Sequence, residues 1–271
     1  MEARVSHPLV ARLASGDAEE RARACREAAD DPAATLLAPA LARALGDPSR
    51  AVARAASDAL VAIERRAGGT LEAVRAALHG PAPAARVGAA FTLARLEPPA
   101  PRLLPALVEA LSSRDGDARW AAARILVEMG RLHAEVLPVL VGLARTGADA
   151  VVRRMAAYAL RSLAPDRPEA ARVLLEATRD ADVHVRRAAF TALAALLDPP
   201  PEVAARLVEA LAADPDPASR RLAALALGEL ARTAPGAVPP RAAREALARA
   251  RDADDADLRR AAERSLAKLP C

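Results

Sequence analysis

Small and apolar residues recur along this chain at helical spacing, and the helical pattern itself returns about every 33 residues. The pattern reads Asp-x-x-Val-Arg-x-x-Ala-x-x-Ala-Leu, with tolerance at each place. It is plainest at Asp182, Val185, Arg186, Ala189, Ala192 and Leu193. It returns at Asp149, Val152, Arg153, Ala156, Ala159 and Leu160, at Asp115, Ala118, Arg119, Ala122, Ile125 and Leu126, and at Asp216, Ser219, Arg220, Ala223, Ala226 and Leu227. Weaker copies start near Asp17, Ser49, Ala82 and Asp255. One column holds Arg21, Ala53, Arg86, Arg119, Arg153, Arg186, Arg220 and Arg259, at spacings of 32, 33, 33, 34, 33, 34 and 39 residues. Chance does not hold that phase over a whole chain, so the units are repeats.

Each unit predicts two helices. The first is apolar and often opens near a proline, as in Leu104-Pro105-Ala106-Leu107 or Leu137-Pro138-Val139-Leu140. Proline suits a first helical turn because its missing N–H has no partner there. A short turn of Asp, Gly and Pro follows, and the second helix starts after an aspartate placed to accept orphan backbone N–H groups. Breakers such as Glu97-Pro98-Pro99 and Asp198-Pro199-Pro200-Pro201 close the units. Eight units are expected, at residues 6–30, 35–65, 70–97, 102–130, 135–164, 168–198, 202–233 and 240–269. A two-helix unit cannot bury its apolar face alone, so the prediction is an all-α solenoid, a right-handed α-α superhelix, running as one domain over 1–271. The long last spacing comes from Thr233 to Pro240 and predicts a bend or a loose loop before the final unit.

At these residues the chain resembles the HEAT-repeat family, in particular the short bacterial form related to phycobilisome-lyase repeats. The resemblance covers essentially all of it. It implies ladders in which a turn aspartate pairs with a second-helix arginine, here Asp180 with Arg186, Asp214 with Arg220, and Asp17 or Asp115 with nearby column arginines. Ala53 and Gly80 break the pattern. The resemblance specifies a fold and leaves function open, because one architecture serves scaffolds, lyases and nucleic-acid binders.

Composition narrows the reading. Of 271 residues 53% are hydrophobic but only 1% aromatic, so the core is to be built from alanine and leucine. The 39 basic residues exceed the 35 acidic ones by little, and Lys268 is the only lysine. An arginine-for-lysine bias of this kind reads as the codon usage of a GC-rich bacterial genome, so the pI near 9.9 is weak evidence for nucleic acid. Cys25 and Cys271 have no neighbouring cysteine, no zinc spacing and no disulfide framework. Cys25 falls at a small core position of a second helix and reads as an inert buried thiol, whereas Cys271 reads as an exposed terminus. No signal peptide and no run of about 18 apolar residues is present, which points to a reduced, cytoplasmic protein without a membrane span. Phosphate-binding glycine loops, His-Glu-x-x-His and Gly-x-Ser-x-Gly are all missing. His7, His79, His133 and His184 lie in different units near turns and form no ligand set. Neither a metal, a cofactor nor a catalytic residue is expected.

The remaining chemistry lies on the second helices. Counting from the first apolar position as zero, offsets 0, 4, 7, 8 and 11 share the core side and offsets 2, 6, 9 and 13 point away. The Arg column, at offset 1, points sideways to a neighbouring repeat. In a solenoid of this kind the second helices line the inner, concave surface. Phe91, Trp120, Tyr158 and Phe190 are the four aromatics of the chain, and they fall at offsets 6, 2, 6 and 5 of four consecutive units. Arg124, Arg154, Arg161 and Arg187 share that side. Trp, Tyr and Arg are the types enriched at binding hot spots. The expectation is a non-catalytic scaffold that holds a partner protein or peptide, acidic ones included, on this face through those eight residues, with a monomer favoured. The alternatives are nucleic-acid binding through the same stripe, as in HEAT-like DNA glycosylases, and lyase-type or chaperone-like handling of a chromophore or partner protein.

Overall fold

Proline, aspartate and glycine set where the helices begin and end. The computed structural model describes residues 7–269, and among them it forms sixteen α-helices and no strand. They are α1 (Pro8–Leu13), α2 (Ala18–Asp30), α3 (Ala34–Ala44), α4 (Arg50–Ala67), α5 (Leu71–Leu78), α6 (Pro83–Leu96), α7 (Leu104–Leu111) and α8 (Gly116–Leu132). There follow α9 (Val136–Thr146), α10 (Ala150–Leu163), α11 (Pro168–Ala177), α12 (Val183–Leu193), α13 (Glu202–Ala213), α14 (Pro217–Thr233), α15 (Pro240–Ala250) and α16 (Ala256–Leu266). Odd and even helices are the first and second helices of the eight repeats. Cys271 lies outside the described residues.

The turn aspartates cap as their position predicts. Asp17, Asp149, Asp182, Asp216 and Asp255 each accept a backbone N–H from the first turn of the second helix that follows. Ser49 and Ala82 stand in that place for α4 and α6 and make no side-chain cap. The segment before the last repeat is not loose. Ala237 and Val238 both donate to the carbonyl of Ala234, and the Val238 side chain is buried.

The helices pack into two compact units, residues 1–129 and 130–271, with the boundary inside α8. In the first, α1, α3 and α5 pack successively on one another, as do α2, α4 and α6. In the second, α9 packs on α11 and α13 on α15, while α10, α12, α14 and α16 form a continuous row. The buried surface is almost all alanine, leucine and valine, which lets helices approach closely. Gly88 and Gly228 mark two close approaches. A Cβ on Gly88 would sit 2.5 Å from the Leu45 carbonyl oxygen, and one on Gly228 would sit 2.4 Å from the Ser265 Cβ.

The Arg column is a structural device. Each of its seven arginines donates Nη1 to the carbonyl six residues earlier, in the turn of its own repeat: Arg21 to Ser15, Arg86 to Gly80, Arg119 to Ser113, Arg153 to Gly147, Arg186 to Asp180, Arg220 to Asp214 and Arg259 to Ala253. Where the following turn supplies an aspartate, the rest of the guanidinium takes it in a fork. Arg21 holds Asp47 at 2.7 and 3.0 Å, and Arg153 holds Asp180 at 2.7 and 2.9 Å. Arg186 holds Asp214 at 3.3 and 3.4 Å. The expected ladder is therefore corrected by one repeat. Asp180 gives Arg186 its backbone oxygen, and its carboxylate goes to Arg153. Asp214 likewise serves Arg220 with its carbonyl and Arg186 with its carboxylate. Arg86 meets no turn aspartate and instead forks onto Glu109 of α7. The rung between Ala53 and Gly80 has lost both partners.

Candidate partner-binding surface

The predicted surface residues divide between the two units. In the first unit, α8 carries Trp120 and Arg124 one helical turn apart. Trp120 is 55% exposed, and Arg124 is exposed with no ion-pair partner among the described residues. Phe91, on α6, is half-buried. It lines a groove of about 690 Å³ between α4 and α6 that Arg50, Arg54, Ser57, Asp58 and Arg95 also border. Gly88 and Ala53 also line it. Arg95 is tied to Ser57 Oγ and to Asp58, both at 2.8 Å, and Arg50 reaches Asp115 and Asp117. Arg54 has no such partner among the described residues.

In the second unit, α10 presents Arg154, Tyr158 and Arg161 at positions i, i+4 and i+7, which share one helix face. Arg161 is exposed and Arg154 partly so, and neither has an ion-pair partner among the described residues. Two residues depart from expectation. Arg187 is held bidentately by Asp216, the N-cap of α14, at 2.8 and 2.6 Å. That fork, with the Ser219 hydroxyl and backbone N–H, holds the Asp216 carboxyl far below its usual range. Arg187 is thus committed within the fold.

Phe190 is the larger correction. It is 0% exposed and is the bulkiest fully buried side chain of the described residues. Offset 5 lies at the edge between the outward side and the neighbouring repeat, and α13 closes over it. Arg206 of α13 stands 5.7 Å above the ring and donates to the hydroxyl and carbonyl oxygens of Thr178, each at 2.8 Å. Phe190 is core. The helical wheel could not place Arg206, because it treats each helix alone.

A family model for HEAT repeats matches residues 71–161 and 171–267. The chain belongs to the HEAT-repeat family. No curated protein matches it closely enough in sequence to count as a relative. Among solved structures, an engineered protein matches at 24% identity over 96% of this chain and 77% of that one, with a TM-score of 0.52. A chain in the structure described as showing that Kap95p binding induces the switch loops of RanGDP to adopt the GTP-bound conformation matches at 14% identity, with a TM-score of 0.65. That match covers 96% of this chain and 40% of the other, so the HEAT repeats here span well under half of its length. Both likenesses are of fold.

Among the described residues no three His, Cys, Asp or Glu side chains come together as a metal site, and no helix is long and apolar enough to cross a membrane. Cys25 is fully buried, and burial pushes its thiol up to about 11.

Proposed function

We propose that the chain is a non-catalytic interaction scaffold that holds an acidic protein segment or peptide against its second helices. The observation that carries this reading is the placement of three arginines, without an ion-pair partner among the described residues, beside aromatics on the second helices. Arg21, Arg86, Arg145, Arg153, Arg186, Arg187 and Arg221 all hold carboxylates. Arg124, Arg154 and Arg161 hold none among the described residues, and each lies on a second helix beside an exposed or half-exposed aromatic. An aromatic next to an open guanidinium supplies apolar area and a fork for a carboxylate, the pairing found at hot spots. The anchors are Trp120 with Arg124 in the first unit, and Tyr158 with Arg154 and Arg161 in the second. Phe91 adds an apolar contact at the α4–α6 groove.

Affinity capture from the native host, with wild-type protein and a Trp120→Ala/Tyr158→Ala variant as baits, tests this. The double variant is expected to lose the acidic partners that the wild type retains. Retention of every partner at undiminished affinity rejects the placement. Tight binding to DNA that weakens steeply with salt would move the reading to a nucleic-acid interface instead.

A further inference from the structure

The Arg ladder has one rung in which the arginine is present, the acid is missing and a cavity takes the acid's place. Arg220 of α14 donates Nη1 to the Asp214 carbonyl at 2.9 Å, as every column arginine does to its own turn. In the three forked rungs the next turn supplies an aspartate two residues before the N-cap: Asp47 before Ser49, Asp180 before Asp182, Asp214 before Asp216. In the last repeat the N-cap is Asp255, so the rung position is Ala253. The bond from Arg259 to the Ala253 carbonyl confirms the register. Neither Asp252 nor Asp254 turns in to replace the missing carboxylate, and Nε and Nη2 of Arg220 have no partner among the described residues.

A cavity of about 370 Å³ opens at this point between the C-terminal ends of α13 and α15. Arg220 and Arg249 supply its positive charge, and Arg249 is likewise unpartnered among the described residues. Val208, Leu211 and Leu258 make its walls apolar. Asp254 and Asp255 are at its rim. Oδ1 of Asp255 accepts the N–H groups of Leu258 and Asp257, at 3.2 and 2.8 Å, and these bonds together with the nearby charge of Arg220 hold its carboxyl below the usual range.

We infer that this cavity binds an aliphatic monocarboxylate, whose carboxyl group takes the rung position that Asp180 and Asp214 fill in the preceding repeats. The intact rungs show the geometry: a carboxylate at 2.7 and 2.9 Å from Nε and Nη2 of an arginine already anchored by Nη1. A preorganised guanidinium loses little freedom when it accepts such a group. The apolar walls accommodate a short branched chain behind the carboxylate. The two rim aspartates disfavour a doubly charged anion, which sets the class apart from phosphate or sulfate. The carboxylate can come from a free small acid or from the C-terminal residue of a partner chain. The site lies at the turn edge of the second unit, away from the second-helix face, and is independent of the scaffold reading.

The test uses the whole chain and four probes: isovalerate, acetyl-Ala-Ala-Leu with a free C-terminus, the same tripeptide amidated, and inorganic phosphate. Saturation-transfer NMR and calorimetry read binding to wild type, Arg220→Gln and Ala253→Asp. Isovalerate is expected to bind the wild type, and Arg220→Gln to weaken it at least tenfold, the scale of a lost charge-assisted fork. Ala253→Asp closes the rung with the protein's own carboxylate. It is expected to raise the Tm and abolish binding, which separates loss of the site from loss of the fold. Binding of the free but not the amidated tripeptide assigns the source to a chain terminus, and binding of isovalerate alone assigns it to a small acid. The inference is overturned if neither carboxylate binds, if phosphate binds as well as isovalerate, or if Ala253→Asp binds isovalerate as the wild type does.

Discussion

Replacing Asp180 with alanine takes the acid out of a rung that is complete on both sides. The Asp180 carboxylate accepts Nε and Nη2 of Arg153 and also the backbone N–H of Asp182 at 2.8 Å. Both side chains are largely shielded from water, at 18% and 12% exposure. In Asp180→Ala, Arg153 keeps only the Gly147 carbonyl, and the Asp182 N–H loses its acceptor. Breaking a fully buried pair by removing one partner costs about 3–5 kcal/mol, and the residual exposure here lowers that to about 2 kcal/mol. The lost backbone bond adds about 1 kcal/mol. The total, about 3 kcal/mol, is roughly a hundredfold faster opening of the amides in α10 and α12 when read by native-state hydrogen exchange. Exchange is the appropriate assay because a chain of two compact units need not unfold in a single step.

Two controls separate the rung from a generic ion pair. Asp180→Asn keeps an acceptor for the Asp182 N–H and is expected to cost about half as much. Glu176→Ala removes the half-exposed pair with Arg145, which water and salt screen, and is expected to cost much less than Asp180→Ala. The pH dependence has a fixed sign. Arg153 and the Asp182 N–H hold the Asp180 carboxyl below its ordinary value. A depressed carboxyl stabilises the fold above the unfolded-state pKa, about 3.9, and that contribution is lost as the pH falls through the lower folded value. The gap between wild type and Asp180→Ala is thus constant from about pH 5 to 7 and narrows below about pH 4. Equal losses for Asp180→Ala and Glu176→Ala, or a gap that does not change down to pH 2, would refute the rung as a stabilising unit.

The other predictions concern burial and close approach. Phe190→Ala is expected to lose about 3–5 kcal/mol in chemical denaturation, and Trp120→Ala under about 1 kcal/mol; comparable losses would contradict the assignment of one to the core and the other to the surface. Gly228→Ala drives a Cβ into Ser265 and is expected to destabilise by about 1–2 kcal/mol despite alanine's better helix propensity, whereas Gly142→Ala, which meets nothing within 4 Å, gains up to about 1 kcal/mol. In a Cys271→Ser background the native protein should not react with a thiol reagent at pH 8, since Cys25 is buried and its thiol lies near 11; stoichiometric labelling without unfolding would show otherwise.

The repeats were legible in the sequence because their signals are local. A proline or aspartate at a helix start acts through bonds to the next two or three residues, so Asp149, Asp182 and Asp216 cap as their positions predict. The sidewise direction of the Arg column was legible for the same reason, since 100° per residue fixes it. Its partners were not. Each arginine takes a carbonyl from its own turn and a carboxylate from the next, so a pairing drawn inside one repeat assigns Asp180 to Arg186 and misses Arg153.

The candidate surface shows where the helical wheel runs out. At offsets 2 and 6 Trp120, Tyr158, Arg154 and Phe91 are exposed or half-exposed, as the wheel predicts. At offset 5 the answer depends on which side chain stands on the adjacent repeat, and Arg206 with its bonds to Thr178 closes that line over Phe190. Arg187 sits at offset 2 like Arg154, yet only Arg187 is pinned. Its neighbour α14 offers the N-cap carboxylate of Asp216, while the matching Asp182 caps α12 and Arg154 has no ion-pair partner among the described residues. Two arginines at the same offset in consecutive repeats thus have opposite availability. What distinguishes them is whether the N-cap aspartate of the next helix also reaches back to the helix before it, as Asp216 does and Asp182 does not, so the open guanidiniums of this chain can be assigned only rung by rung.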